Sequence, residues 1–217
     1  MVKIEVSTGE VTLLGNNLKG PYVQSSYPIN QFKWLRGARA RDGAIYGVPS
    51  NADSVLKIIP STGECQVIGG PFRGHWKWHG GVIANDGNIY GIPCNAEQVL
   101  KIDTSTGECT LFGGPYPGSQ KWYGGLLGCD GCIYGIANCA AAVIRINPAT
   151  METALIGQFP EGGWKWHGGA VGPDKCIYGF PSHSDRVLKI DPSTAQCTLV
   201  TAHSLCDLHR VHDPDHY

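Results

Sequence analysis

The chain has 217 residues, 42% of them hydrophobic and only 16% charged, with 30 glycines and 14 prolines. Its 17 basic and 18 acidic side chains leave a net charge of −1, without the basic excess of a nucleic-acid or anionic-membrane binder. Low charge with abundant Gly and Pro favours many short strands joined by tight turns over long helices.

No apolar run of about 18 residues is present, so no membrane span is expected. The first residues alternate like a strand and lack the apolar stretch of a signal peptide. The nine cysteines are an odd number at no disulfide-framework spacing. A reducing, intracellular setting is therefore expected, with thiols filling small apolar holes.

In chain order, a fragment comes first. Val2-Lys3-Ile4, then Ser7-Thr8-Gly9-Glu10, then Val11 to Gly15 read as strand, turn and strand. A long link follows, and then a repeat. Lys33-Trp34, Lys77-Trp78, Lys121-Trp122 and Lys165-Trp166 recur every 44 residues. Ile-Tyr-Gly keeps step at 45–47, 89–91, 133–135 and 177–179, and VLKI or VIRI follows at 55–58, 99–102, 143–146 and 187–190.

The second copy reads as four strands. Residues 78–84 form the first, with a Gly pair suited to close backbone approach. Asn85-Asp86-Gly87 is a tight turn. Residues 88–92, 98–103 and 108–113 supply the others. Four short antiparallel strands per repeat of this length predict a β-propeller blade. The expected fold is an all-β propeller forming a single domain over 1–217. The half blade covers 2–15, full blades cover 34–75, 78–119, 122–163 and 166–200, and a His-rich tail covers 201–217. Five blades are expected, the last completed irregularly. A longer propeller and two chains joined through open blade edges stand as alternative closures. Lys175 stands where Gly43, Gly87 and Gly131 stand, so a strained turn is expected there.

Propeller topology brings the inter-blade link and the loop between strands two and three to one face. The candidate ligand-binding residues on it are Lys33, Lys77, Lys121, Lys165, Trp76, Trp164, His79, His167, Asn51 and Asn95. Ammonium groups attract carboxylate or phosphate, and indoles suit sugars, planar ligands and protein interfaces. The competing reading packs the Trp after each Lys between blades, with the Lys reaching over it to water. His79, His167 and His183 lack a carboxylate partner, and Cys129–Cys132 has no second Cys pair, so no metal site and no cofactor are assigned. His203, Cys206, His209, His212 and His216 in the tail are read as solvated. No catalytic residue is assigned, because no hydrolase, phosphate-loop or dinucleotide motif occurs.

The stretch HGGVIANDGNIYGIPCNAEQVLKIDTSTGECTLF resembles blades of the streptogramin lyase, gluconolactonase and NHL-type propeller superfamily. The shared features are a Gly-bearing inner strand, Asp-Gly, an aromatic strand, Asn, a strand ending in Ile-Asp, and Ser/Thr-Thr-Gly-Glu. The resemblance covers 33–200 and the fragment 2–15, and it implies the fold. Pro49, Pro93, Ala137 and Pro181 stand where the lyase branch carries a polar or acidic residue. The expected function is a non-catalytic binding or scaffold propeller, engaging a protein partner or larger assembly through the Lys/Trp face. A glycan or small anionic ligand is the alternative, and a metal-dependent lactonase or lyase the further one.

Overall fold

A computed structural model describes residues 2–15, 18 and 32–201. The His-rich tail beyond Thr201 lies outside the described residues. Two short strands open the chain, β1 (Val2–Ile4) and β2 (Val11–Leu13). Four sheets of four strands follow. Blade one holds β3 (Trp34–Arg39), β4 (Ile45–Pro49), β5 (Val55–Ile59) and β6 (Glu64–Ile68). Blade two holds β7 (Trp78–Ile83), β8 (Ile89–Pro93), β9 (Val99–Ile102) and β10 (Cys109–Phe112). Blade three holds β11 (Trp122–Leu127), β12 (Ile133–Ala137), β13 (Val143–Asn147) and β14 (Glu152–Ile156). Blade four holds β15 (Trp166–Val171), β16 (Ile177–Pro181), β17 (Val187–Asp191) and β18 (Gln196–Val200).

Each sheet is an antiparallel meander in sequence order, and among the described residues β1 pairs with β2 alone. This is the blade architecture of a propeller with a half-built N-terminal blade. The chain divides into two compact units, Met1–Gly118 and Ser119–Tyr217. Among the described residues no helix is long and apolar enough to cross a membrane.

The repeat dictates the same local geometry in every blade. The turn Asp accepts a hydrogen bond from the backbone N–H two residues on, as in Asp86 Oδ1 from Asn88 and Asp174 Oδ1 from Cys176. That closes an Asx turn. The next residue takes a left-handed φ: 85° at Gly43, 83° at Gly87, 80° at Gly131 and 64° at Lys175. The first strand of each blade carries a bulge, its register shifting between Trp34 and Gly37, Trp78 and Gly81, Trp122 and Gly125, and Trp166 and Gly169. A left-handed residue sits in each bulge, Gly80, Gly124 or Gly168 in three copies and Arg36, φ 56°, in the first. Bulges of this kind bend a strand and re-aim the neighbouring side chain.

Packing follows from the alternation. In the first unit Tyr46, Val48, Val55, Ile89, Leu100 and Ile102 are buried together with Trp78. Blades meet by seating an apolar side chain of one on glycines of the next. A Cβ on Gly81 would stand 2.5 Å from Val48 Cγ2, and one on Gly91 3.2 Å from Val48 Cγ1. In the second unit, a Cβ on Gly169 would stand 3.2 Å from Leu126 Cδ1, and one on Gly179 3.4 Å from Ile136 Cγ2. The Tyr46 hydroxyl also donates to the Thr104 carbonyl at 3.1 Å, reaching the outer turn of blade two.

Two stability changes are expected. Lys175→Gly relieves a left-handed non-glycine residue worth about 1 kcal/mol, so the melting temperature rises by about 2–4 °C. An unchanged or lower value contradicts the turn. Gly81→Ala forces a Cβ into Val48 and costs about 1–3 kcal/mol. Gly37→Ala, where the nearest atom is Ile45 Cγ2 at 3.2 Å, costs less than half as much in the same urea titration.

Candidate ligand face

The link before each blade ends on the repeated Lys, and its backbone is gripped by the loop after the second strand. The Lys33 carbonyl accepts from the N–H groups of Ser50 and Ala52, and the Lys77 carbonyl from those of Cys94 and Ala96. In the second unit the Lys121 carbonyl accepts from Asn138 and Ala140, and the Lys165 carbonyl from Ser182 and Ser184. One oxygen thereby satisfies at least two loop amides in every copy, and that of Lys77 also takes the Asn95 N–H at 3.2 Å.

The lysine side chains turn into the fold. Lys77, Lys121 and Lys165 are 3%, 5% and 8% exposed. Lys77 Nζ donates to the carbonyls of Ser50 at 2.8 Å and Gly74 at 3.0 Å. Lys165 Nζ donates to the Gly162 carbonyl at 2.9 Å, and Lys33 Nζ to that of Leu18 at 3.0 Å. Burial pulls the Lys77 ammonium down to about 8, with Asp53 pulling weakly the other way. Burial also lowers Lys165, against the opposing fields of Cys139 and Glu161. These are the groups expected to be offered to an anion, and three of them already serve backbone carbonyls.

The Trp after each Lys is packed. Trp78, Trp122 and Trp166 are 1–2% exposed, and all four indoles donate to a carbonyl 20 residues on, at Ser54, Gln98, Ala142 and Arg186. Phe72 and Phe159 meet Trp78 and Trp166 edge-on, with centroids 5.2 and 4.9 Å apart.

The residue before each Lys behaves differently. Phe32, Trp76, Gln120 and Trp164 all hold a left-handed backbone, with φ of 52°, 51°, 54° and 47°. That conformation is rare for bulky residues and persists only where neighbours over-determine it. The determinants are visible. In the first unit Asn51 Oδ1 accepts from the Trp76 N–H at 2.8 Å, and the Trp76 carbonyl accepts from the Asn95 N–H at 3.0 Å. Asn51, 5% exposed, thus holds the backbone of Trp76. Asn95 Nδ2 donates to the His75 carbonyl at 3.1 Å. In the second unit Cys139 and His183 donate to the Gln120 and Trp164 carbonyls.

Three of the four strained residues are aromatic. In the first unit the Phe32 and Trp76 rings lie 5.1 Å apart at 33°, and Phe32 is 52% exposed. His79 follows Trp78 and is half-buried. In the second unit Tyr123 meets Trp164 at 5.6 Å and His167 edge-on at 4.9 Å. Trp164 is 40% exposed, and His167 is exposed where it enters β15. Phe32 in the first unit and Tyr123 in the second stand at the repeat positions of Trp76 and His167.

Among the described residues no three His, Cys, Asp or Glu side chains are grouped so as to hold a metal ion. Burial pushes the thiols of Cys109, Cys132 and Cys197 up to about 11, which removes them as nucleophiles at neutral pH.

No family model matches the chain, and no curated protein matches it either. Solved structures do. Virginiamycin B lyase from Staphylococcus aureus superposes with a TM-score of 0.72 at 18% identity, over 92% of this chain and 62% of the lyase. The fold is a β-propeller. Hydrazine synthase from Kuenenia stuttgartiensis is similar at TM-score 0.59 and 14% identity, over 86% of this chain and 53% of that one. An auxiliary nutrient binding protein from Bacteroides thetaiotaomicron matches at 0.54 and 15%, over 77% and 40%. The propeller described here therefore spans less than two thirds of the length of each of these proteins. Fold likeness at such identities is compatible with unrelated activities.

The Lys77 clamp has a pH signature. Its folded value lies below the ordinary 10.5, so between about pH 8 and 10.5 the unfolded chain binds more protons and stability rises with pH. The stability difference between wild type and Lys77→Met is expected to widen in favour of wild type over that window, in paired urea titrations. A difference constant from pH 7 to 10 contradicts a buried, protonatable Lys77.

Proposed function

We propose that the chain is a non-catalytic binding propeller that engages a protein partner through the link–loop surfaces of its blades. The left-handed Phe32 and Trp76 are the anchors in the first unit, and Trp164 is the anchor in the second. The observation that carries this reading is the recurrence of the strained backbone before every Lys. Strain kept in all four copies, three of which carry an aromatic residue there, supports a functional reading of that position. Large rigid aromatics dominate protein interfaces because they bury much area with few rotors. In this reading Lys33, Lys77, Lys121 and Lys165 hold the face from beneath, and Asn51 and Asn95 fix the backbone of the link. His79 and His167 flank the anchors.

A second reading has its own observation. Tyr123, Trp164 and His167 form a small aromatic group in the second unit, and such walls stack on sugar rings. A glycan is therefore the alternative ligand.

Cross-linking of the native protein in cell extract, followed by mass spectrometry, identifies the partner and the face used. Against that purified partner, Trp76→Ala and Trp164→Ala are each expected to weaken binding at least tenfold, within 2 °C of the wild-type melting temperature. Wild-type affinity in both variants would sink the protein-partner reading. A glycan array that lights up and fades in Trp164→Ala would move the function to carbohydrate.

A further inference from the structure

The seam between blades one and two holds three buried polar atoms that its own hydrogen bonds do not serve. Among the described residues, Ser50 Oγ, Asp53 Oδ2 and His75 Nδ1 are buried without a hydrogen-bond partner. Ser50 is 0% exposed and the Asp53 side chain 10%. The loop 50–53 is laced to the link 72–77, so the three residues line one seam. The Ser50 carbonyl accepts from the Lys77 N–H at 3.2 Å and from its ammonium at 2.8 Å. Asn51 Oδ1 holds the Trp76 N–H, and the Asp53 carbonyl takes the Phe72 N–H at 2.8 Å. All of these residues belong to the first unit.

The next two copies carry other residues here. Cys94 and Asn138 stand at the position of Ser50, Glu97 and Ala141 at that of Asp53, and Ser119 and Gly163 at that of His75. The Cys94 thiol and the Asn138 amide both find acceptors, at Asn95 Oδ1 and the Trp166 carbonyl. Ser182 and Asp185 return in the fourth copy, but the Asp185 side chain is 88% exposed. Unpaired buried polar groups cost stability, and in a native fold each calls for a reason. The repeat offers satisfied alternatives at the same positions, so the first junction keeps its three atoms for a group that pairs with them.

The charges of the seam set the chemistry of that group. The Lys77 ammonium is buried there, and the Asp53 carboxylate is near enough to act on it. Arg73 Nη1 stands 3.5 Å from Asp53 Oδ2, beyond good hydrogen-bond length, with its side chain 70% exposed. A further cation would face Lys77 and Arg73, and an anion would face Asp53, so a neutral group fits best. It must donate to the carboxylate and accept from the Ser50 hydroxyl, and an alcohol does both with one oxygen. We propose that the seam is a binding site for a neutral polyol, taking adjacent hydroxyls of a sugar or cyclitol between Ser50, Asp53 and His75. Arg73, the exposed member of the group, is the side chain that yields on entry. A free sugar and the end of a glycan chain offer the same contacts. The site belongs to the first unit and requires no protein partner, whereas the Tyr123–Trp164–His167 group belongs to the second.

The test follows the melting temperature of the full chain against D-glucose, D-galactose, D-mannose, myo-inositol and the methyl glycosides of the sugars. A saturable rise with at least one probe is expected. A methyl glycoside that matches its free sugar assigns the site to glycan ends, and one that fails assigns it to free sugars. Ser50→Ala and Asp53→Asn are each expected to weaken the binding at least tenfold. Without ligand, Ser50→Ala is expected to melt at or above the wild-type temperature, since it removes an unpaired buried atom. No saturable rise with any probe overturns the proposal, and so does binding of wild-type strength in both variants. A ligand-free Ser50→Ala chain that melts below wild type shows a structural hydroxyl held by ordered water only, and overturns it as well. Binding that survives in both seam variants and is lost in Trp164→Ala belongs to the second unit instead.

Discussion

A single carbonyl per repeat, that of the Lys before each first strand, accepts at least two amides from the loop after the second strand. The link–loop surface of each blade is positioned from that junction. It fixes where the link ends, and it places the Lys side chain underneath the loop instead of above it. In blade two the ammonium then bonds one carbonyl of the preceding blade's loop, at Ser50, and one of the link itself, at Gly74. A charge held this way is expensive to bury and cheap only while its hydrogen bonds are made. Removing one partner leaves the others unsatisfied, so the junction is held as a whole.

With the junction fixed, the residue before the Lys has little choice of backbone. It is pressed into the left-handed region, and its side chain is set beside the first strand of the blade. The bulge at the start of that strand re-aims the next position, which carries His79, Tyr123 and His167. The face is therefore assembled from short-range constraints inside each repeat. The seating of Val48 on Gly81 and Gly91, and of Ile136 on Gly179, then brings neighbouring repeats to a fixed spacing within each unit.

The period of the sequence made the strands legible. Trp, Asp-Gly, Ile-Tyr-Gly and VLKI recur in register, and each falls on the strand or turn that its residue type favours. The strained turn at Lys175 was legible for the same reason, as a missing Gly at a position filled by Gly in three copies. The left-handed backbone at Phe32, Trp76, Gln120 and Trp164 was not. No Gly, Asn or Asp marks it, because the conformation is imposed by Asn51 and the loop amides and not by local preference. The direction of the lysines was equally hidden. A Lys beside a Trp reads the same whether its ammonium reaches water or turns under a loop, and only the positions of Ser50 and Gly74 decide. The exposed half blade was readable as a fragment, from Val2-Lys3-Ile4 and Ser7-Thr8-Gly9-Glu10 matching the third strand and the following turn of the repeat.

The variable residue before the invariant Lys has an evolutionary consequence. Phe32, Trp76, Gln120 and Trp164 differ in size and polarity, and yet the same backbone carries all four. The junction therefore behaves as a socket into which different side chains can be plugged without disturbing the core. Duplicating a blade duplicates the socket, and a single codon change then alters the side chain that copy presents while leaving the stacking of the blades intact.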